Sequence, residues 1–150
     1  MYETDVIKLF SDKGLKLSLV LSGGGMSILD LFKVSGCSKL MTEAQVLYDE
    51  QSYKRFFIDF VPDCGFVSQE MADAMAFNLY HFRKDTIAIA VTAALKTTRV
   101  LRGGTRAHIS IVRDDKIIYS AKVDLTGGDR YAQDAEIKTA LYQIIAEKLL

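Results

Sequence analysis

Between Leu15 and Ser22, Leu15, Leu17, Leu19 and Leu21 alternate with Lys16, Ser18, Val20 and Ser22. This period of two predicts a half-buried β-strand. Three glycines, Gly23-Gly24-Gly25, follow it. Ile28, Leu29, Leu31, Phe32 and Val34 then recur at helical spacing until Ser35-Gly36-Cys37-Ser38 breaks the pattern. Ahead of the strand, Val6, Ile7, Leu9 and Phe10 predict a short helix that Gly14 closes as a left-handed cap. Ala44 to Tyr48 reads as a second strand. Asp49 caps a helical run whose face carries Tyr53, Phe56, Phe57 and Phe60, and Pro62 ends it. Ser68 opens another helix, with Met71, Met75, Leu79 and Phe82 as its buried stripe. Thr86 to Val91 is continuously apolar, the pattern of a strand covered on both faces. Ala107–Arg113 and Lys116–Leu125 predict a hairpin about Asp114-Asp115. A final helix carries Ile137, Leu141, Ile144, Ile145 and Leu149.

The resulting order, α-β-α-β-α-α-β-β-β-α, predicts an α/β fold of three α/β/α layers. Its mixed sheet is parallel where helices intervene and antiparallel at the closing hairpin. The 150 residues form one domain, 1–150, long enough for a continuous core. Half the residues are hydrophobic (49%) and the net charge is zero, with a pI near 6.7, which argues against nucleic acid or an anionic membrane as partner. The longest apolar run is too short to span a bilayer, and the acidic start lacks an export pattern. Cys37 and Cys64 have no metal-ligand spacing. These features predict a cytoplasmic protein with reduced cysteines and neither metal nor cofactor.

Candidate chemistry gathers where strands end. A strand that runs through glycines into a helix leaves backbone N–H groups unpaired, and the helix dipole favours an anion there. The same glycines also serve a simple tight turn. Ser38, Tyr48, Tyr53 and Lys54 form a second group. A serine nucleophile needs a base, which a desolvated lysine supplies, directly or through a tyrosine hydroxyl. The plainer alternative is a turn-capping Ser38, a packed Tyr53 and a solvated Lys54. Lys96, Arg99, Arg102 and Arg106 occur with no acid among them and with Gly103-Gly104 alongside, a segment suited to clamping an anion or to lying solvated. Neither His81 nor His108 has a second metal ligand at ligand spacing.

Taken in order, Gly23–Gly25, Gly36-Cys37-Ser38, Tyr48, Gly65-Phe66-Val67-Ser68, Met75-Ala76 and Gly128-Asp129-Arg130 resemble the landmarks of a known family. The chain is similar over nearly its whole length to the C-terminal domain of competence-damage protein CinA, the nicotinamide-nucleotide amidases. That family's pattern runs E-S-x-T-G-G, G-x-S, Y-S-N-x-x-K, G-A-V-S, M-A, T-G-I-A-G-P, V-G-T-V and G-D-R. Its members hydrolyse the amide of nicotinamide mononucleotide. By resemblance Ser38 is the nucleophile and Tyr48 its companion, while the family lysine falls on Tyr53, with Lys54 one residue late. One residue turns a helical side chain by about 100°. The family glutamate becomes Val20 or Leu21, depending on register, and Ser22 matches the family serine in only one register. T-G-I-A-G-P becomes Thr92-Ala93-Ala94-Leu95-Lys96-Thr97.

The resemblance therefore implies a preserved scaffold with an altered site. The leading expectation is a divergent member whose amidase activity is lost or changed, a pseudoenzyme binding nicotinamide mononucleotide or a related nucleotide or anion. Ser22, Gly23, Gly24, Gly25, Thr92, Arg102, Gly104 and Arg130 are its ligand-binding candidates. One alternative is an active amidohydrolase using Ser38, Tyr48 and Lys54. Another is an interaction module whose old site is closed by Leu21, Tyr53 and Leu95. The family's habit of self-association implies a homodimer or larger homo-oligomer.

Overall fold

The computed structural model describes residues 1–149. Helix α1 (Glu3–Asp12) leads into strand β1 (Leu17–Ser22), and β2 (Met41–Leu47) follows two short 3-10 segments, Met26–Lys33 and Cys37–Lys39. Helices α2 (Glu50–Phe56) and α3 (Gln69–Phe82) precede β3 (Ile87–Ala94), β4 (Arg106–Arg113) and β5 (Lys116–Asp124), and α4 (Arg130–Lys148) closes the chain. The five strands lie in the order β2-β1-β3-β4-β5. β1 is parallel to both β2 and β3, whereas β4 is antiparallel to β3 and to β5. This is the expected mixed sheet.

The sheet separates two cores. Leu17, Leu19 and Leu21 of β1 and Ile89 and Val91 of β3 pack with α1, α4 and the first 3-10 segment. Val20, Ala88 and Ala90 face the opposite way, against Tyr53 and Phe56 of α2 and Met71, Met75 and Leu79 of α3. The three layers follow from the period-two alternation and from helices crossing over on either side.

Four details depart from the sequence reading. β1 is buried along its whole length, not on one face, so its serines must find partners inside. Ser18 Oγ meets Thr86 Oγ1 at 2.8 Å, and Ser22 Oγ accepts from Tyr53. After the glycines the chain forms a 3-10 helix rather than an α-helix. Phe60 is not on the buried face of α2, which ends at Phe56. Ile58 and Asp59 turn the chain through left-handed conformations and leave Phe60 85% exposed. Phe82, the last member of the expected α3 stripe, is about half exposed. Asp49 and Ser68 cap their helices as expected, accepting from Ser52 and Met71, and the structure adds Asp129, which caps α4 by accepting from Ala132. Asp114 and Asp115 take the positive φ that a two-residue hairpin turn requires.

Candidate functional site

The carboxyl ends of parallel β1 and β3 open onto one cleft with two joined hollows. One, of about 360 Å³, is bordered by Ser22, Tyr53, Phe66, Arg99, Leu101 and Arg130. The other, of about 470 Å³, is bordered by Met26, Ser27, Tyr48, Tyr131, Asp134 and Ala135. Gly23, Tyr48, Leu95 and Arg130 belong to both.

The glycine loop forms the floor. Gly23 has φ +77, and a Cβ there would collide with the carbonyl oxygen of Ala93, so only glycine fits against the end of β3. A Cβ on Gly24 would press on Ala93, Ile137 and Leu95 at 3.1–3.2 Å. The loop thus packs tightly against β3 and α4. The strand–glycine–helix pattern predicts unpaired N–H groups at this point, and the chain itself satisfies three of them. Gly25 and Met26 donate to Asp134 Oδ1 at 2.6 and 2.9 Å, and Ser27 donates to Oδ2 at 2.8 Å. The anion in this cradle is a carboxylate from α4. The N–H of Gly25 is therefore turned to Asp134 rather than open to a ligand, while Gly23 and Gly24 border the cleft.

On the opposite wall, Tyr53 is buried and its hydroxyl donates to Ser22 Oγ at 2.5 Å. Its ring leans on Phe66, with centroids 4.4 Å apart. Lys54 turns away, its ammonium 3.6 Å from Glu50 Oε1 across one turn of α2. Helical geometry decides this, because only one of two adjacent residues can face the sheet. Ser38 is exposed in the 3-10 turn Cys37–Lys39 and borders neither hollow. Tyr48 lies just beyond β2, 75% exposed at the cleft rim. Ser38, Tyr48 and Lys54 are therefore not assembled around one point. Ser22 and Tyr53 are.

Thr92 is buried at the end of β3, and its hydroxyl donates to the Phe66 carbonyl at 2.6 Å. It ties down the loop carrying Phe66 and does not border either hollow. The basic segment is fastened at both ends. At one end, Lys96 N–H donates to Gln133 Oε1 (2.7 Å), Lys96 Nζ to the Gly128 carbonyl (3.0 Å), and Arg130 to the Lys96 carbonyl (3.1 Å). At the other, Arg106 donates to the carbonyls of Arg102, Gly104 and Val67 at 2.8–2.9 Å and to His108 Nε2 at 3.2 Å. Arg102 and Gly104 act here through their carbonyls, and neither borders the cleft. Arg99 and Arg130 are the cations that do.

Arg106 also fixes the tautomer of His108. An Nε2 that accepts leaves the proton on Nδ1, which donates to Gln69 Oε1 at 3.0 Å. Burial lowers the His108 pKa, and Arg106 and Lys122 lower it further against the opposing pull of Asp124.

No local sequence pattern pointed to Asp134, which sits 109 residues from the N–H group of Gly25. Nor did it single out Tyr131 or Phe66 as walls. An aromatic beside a retained arginine was the one available signal for Tyr131.

Among the described residues, no group of three or more His, Cys, Asp or Glu side chains is placed to hold a metal ion. No helix among them is long and apolar enough to cross a membrane.

The sequence model of the CinA C-terminal domain matches residues 1–148. The chain belongs to the CinA C-terminal domain family. Solved structures repeat the fold. The competence/damage inducible protein CihA from Agrobacterium tumefaciens superposes with a TM-score of 0.80 at 20% identity, over 96% of this chain and 92% of that one. A competence or damage-inducible protein from Enterobacter asburiae gives 0.81 at 15% identity, covering 99% and 96%. A CinA superfamily protein from Escherichia coli gives 0.75 at 19% identity, covering 100% and 94%. No curated protein sequence matches this one. At these identities the structural likeness carries the CinA fold alone.

Proposed function

We propose that this CinA C-terminal domain binds a nucleotide or related small anion in the β1/β3 cleft and does not hydrolyse an amide. One observation carries the reading: the residue of α2 that faces the end of β1 is Tyr53, not a lysine, and its hydroxyl donates to Ser22. A serine held as acceptor by a tyrosine proton has no base to remove its own proton. Lys54, the nearest amine in sequence, pairs with Glu50 on the outer face of α2. An active amidohydrolase using Ser38, Tyr48 and Lys54 requires that ammonium near Ser38 or Tyr48. A module with a closed site requires a filled cleft. Leu21, Tyr53 and Leu95 are indeed buried, yet hollows of about 360 and 470 Å³ remain beside them, within the range of ligand pockets.

The test pairs two measurements on the purified chain. Incubation with nicotinamide mononucleotide should release no ammonia above the buffer rate. A thermal-shift screen of pyridine and adenine nucleotides and small organic anions should show at least one that raises the melting temperature by several degrees. Ammonia release abolished by Ser38→Ala would overturn the reading. Tyr53→Phe should leave the zero activity unchanged while lowering stability by about 1–3 kcal/mol, because Ser22 then loses its buried partner.

A further inference from the structure

Two walls of the smaller hollow are fastened by one guanidinium. Arg106, at the start of β4, donates through Nη1 to the carbonyls of Arg102 and Gly104 at 2.8 and 2.9 Å. Through Nη2 it donates to the Val67 carbonyl, 39 residues back in the chain, at 2.9 Å. The first two carbonyls end the segment that brings Arg99 and Leu101 to the cleft, and the third belongs to the loop that brings Phe66. Gly103 wraps this side chain closely. With φ +76, a Cβ on it would sit 3.0 Å from the guanidinium.

A fourth bond ends on a titratable group. Arg106 Nε donates to His108 Nε2 at 3.2 Å, which requires a neutral imidazole whose proton lies on Nδ1, where Gln69 Oε1 accepts it at 3.0 Å. The surroundings favour that neutral ring. On β5, Lys122 lies directly across from His108 and Asp124 across from Arg106, and those two pair with each other at 3.4 Å. On β3 the facing residue is the uncharged Thr92. From α3 comes the neutral Gln69, with Asp73 beyond it through Ser120. Burial, Arg106 and Lys122 together hold the His108 pKa below its usual value, with Asp124 opposing them.

We infer that Arg106 and His108 form an acid-sensitive clasp, which holds both walls of the cleft in place at neutral pH and releases them when His108 takes up a proton. A protonated ring carries N–H on both nitrogens, so Nε2 no longer accepts, and two cations then face each other at hydrogen-bond distance. Because the folded pKa is lowered, the clasp is complete above about pH 6.5, the unfolded value, and is lost as the pH falls through the lowered one. Its consequence for ligands, weaker binding in acid, rests on the binding role proposed above. The clasp itself is observable in the free chain.

Two amides report on it. Gly104 N–H donates to the Leu101 carbonyl at 3.2 Å and Leu125 N–H to the Thr105 carbonyl at 3.1 Å, so both lose protection when the 99–105 segment loosens. Hydrogen exchange followed by NMR on the full chain, at about pH 7 and about pH 4.5, is read beside the ring-nitrogen shifts of His108. As the ring becomes charged, these two amides should lose at least fivefold in protection, corrected for intrinsic exchange, while amides of β1 and β3 keep theirs. His108→Gln places a neutral amide oxygen near the position of Nε2 and should keep the protection at both pH values. The inference fails if the ring charges and the two amides stay protected, or if the ring is still neutral at the lower pH. It fails too if β1 and β3 lose protection equally, which is unfolding of the whole chain, or if His108→Gln repeats the wild-type loss. Should that variant not fold, the wild-type exchange and ring titration decide alone. A clasp that opens as expected in a chain that no nucleotide or anion stabilises leaves this inference standing and refutes the binding role.

Discussion

Asp134 decides what the glycine loop is for. Three backbone N–H groups converging at the start of a 3-10 segment would attract any anion, and a side chain held on α4 reaches them without the entropy cost of capturing a free ligand. The loop is thereby built into the fold: Gly23 fits under Ala93, and Asp134 closes the donors above it. Asp134→Ala should therefore cost about 2–4 kcal/mol in urea unfolding, since partly buried N–H groups lose a charged acceptor. It should also uncover the latent cradle. Sulfate in the tens of millimolar range should then raise the melting temperature of the variant by more than that of the wild type. Equal responses would show that the loop rearranges once the carboxylate is gone.

At the scale of elements, the basic segment is held by bonds that join β4, α3 and the preceding loop. Arg106 gathers the carbonyls of Arg102, Gly104 and Val67 and donates to His108, which in turn bonds Gln69 at the start of α3. Gln69 continues the chain to Ser120, whose hydroxyl donates to Asp73. Protonating His108 would remove the acceptor that Arg106 uses and place a second cation beside it. Burial, Arg106 and Lys122 lower its pKa, and Asp124 only partly opposes them. With the folded value below the unfolded one of about 6.5, this contribution is complete above that pH. It is lost as the pH falls toward the depressed folded value, at no more than about 1.4 kcal/mol per pH unit. Urea midpoints of the wild type should therefore fall more steeply between pH 7 and 5 than those of His108→Asn. Parallel curves would show that His108 titrates alike in both states.

For the molecule as a whole, the readable parts were those fixed by near neighbours in sequence. The alternation of β1, the unbroken apolar run of β3, the caps Asp49 and Ser68 and the Asp114-Asp115 turn all follow from residues within a few positions of each other. The site was legible as a place, the carboxyl ends of β1 and β3, but not as a set of partners. Ser22 meets Tyr53 31 residues on, and Arg106 reaches Val67 39 residues back. Such pairings depend on which helix lies on which face, which periodicity does not encode. The distinction separates two arginines that sequence alone treats as equivalent. Arg106 spends its donors on carbonyls of its own chain and is partly buried, whereas Arg130 is exposed and keeps donors toward the cleft. Arg106→Ala should thus lower the melting temperature by several degrees, because three carbonyls lose a charged donor and the 96–106 wall loosens. Any ligand-induced shift should shrink with it. Arg130→Ala should leave the free protein within about 0.5 kcal/mol of wild type, as substitutions at exposed positions usually do, while removing most of the ligand response. Thermal melts of both variants, with and without the best anion from the screen, separate the arginine that builds the wall from the one that recognises what lies against it.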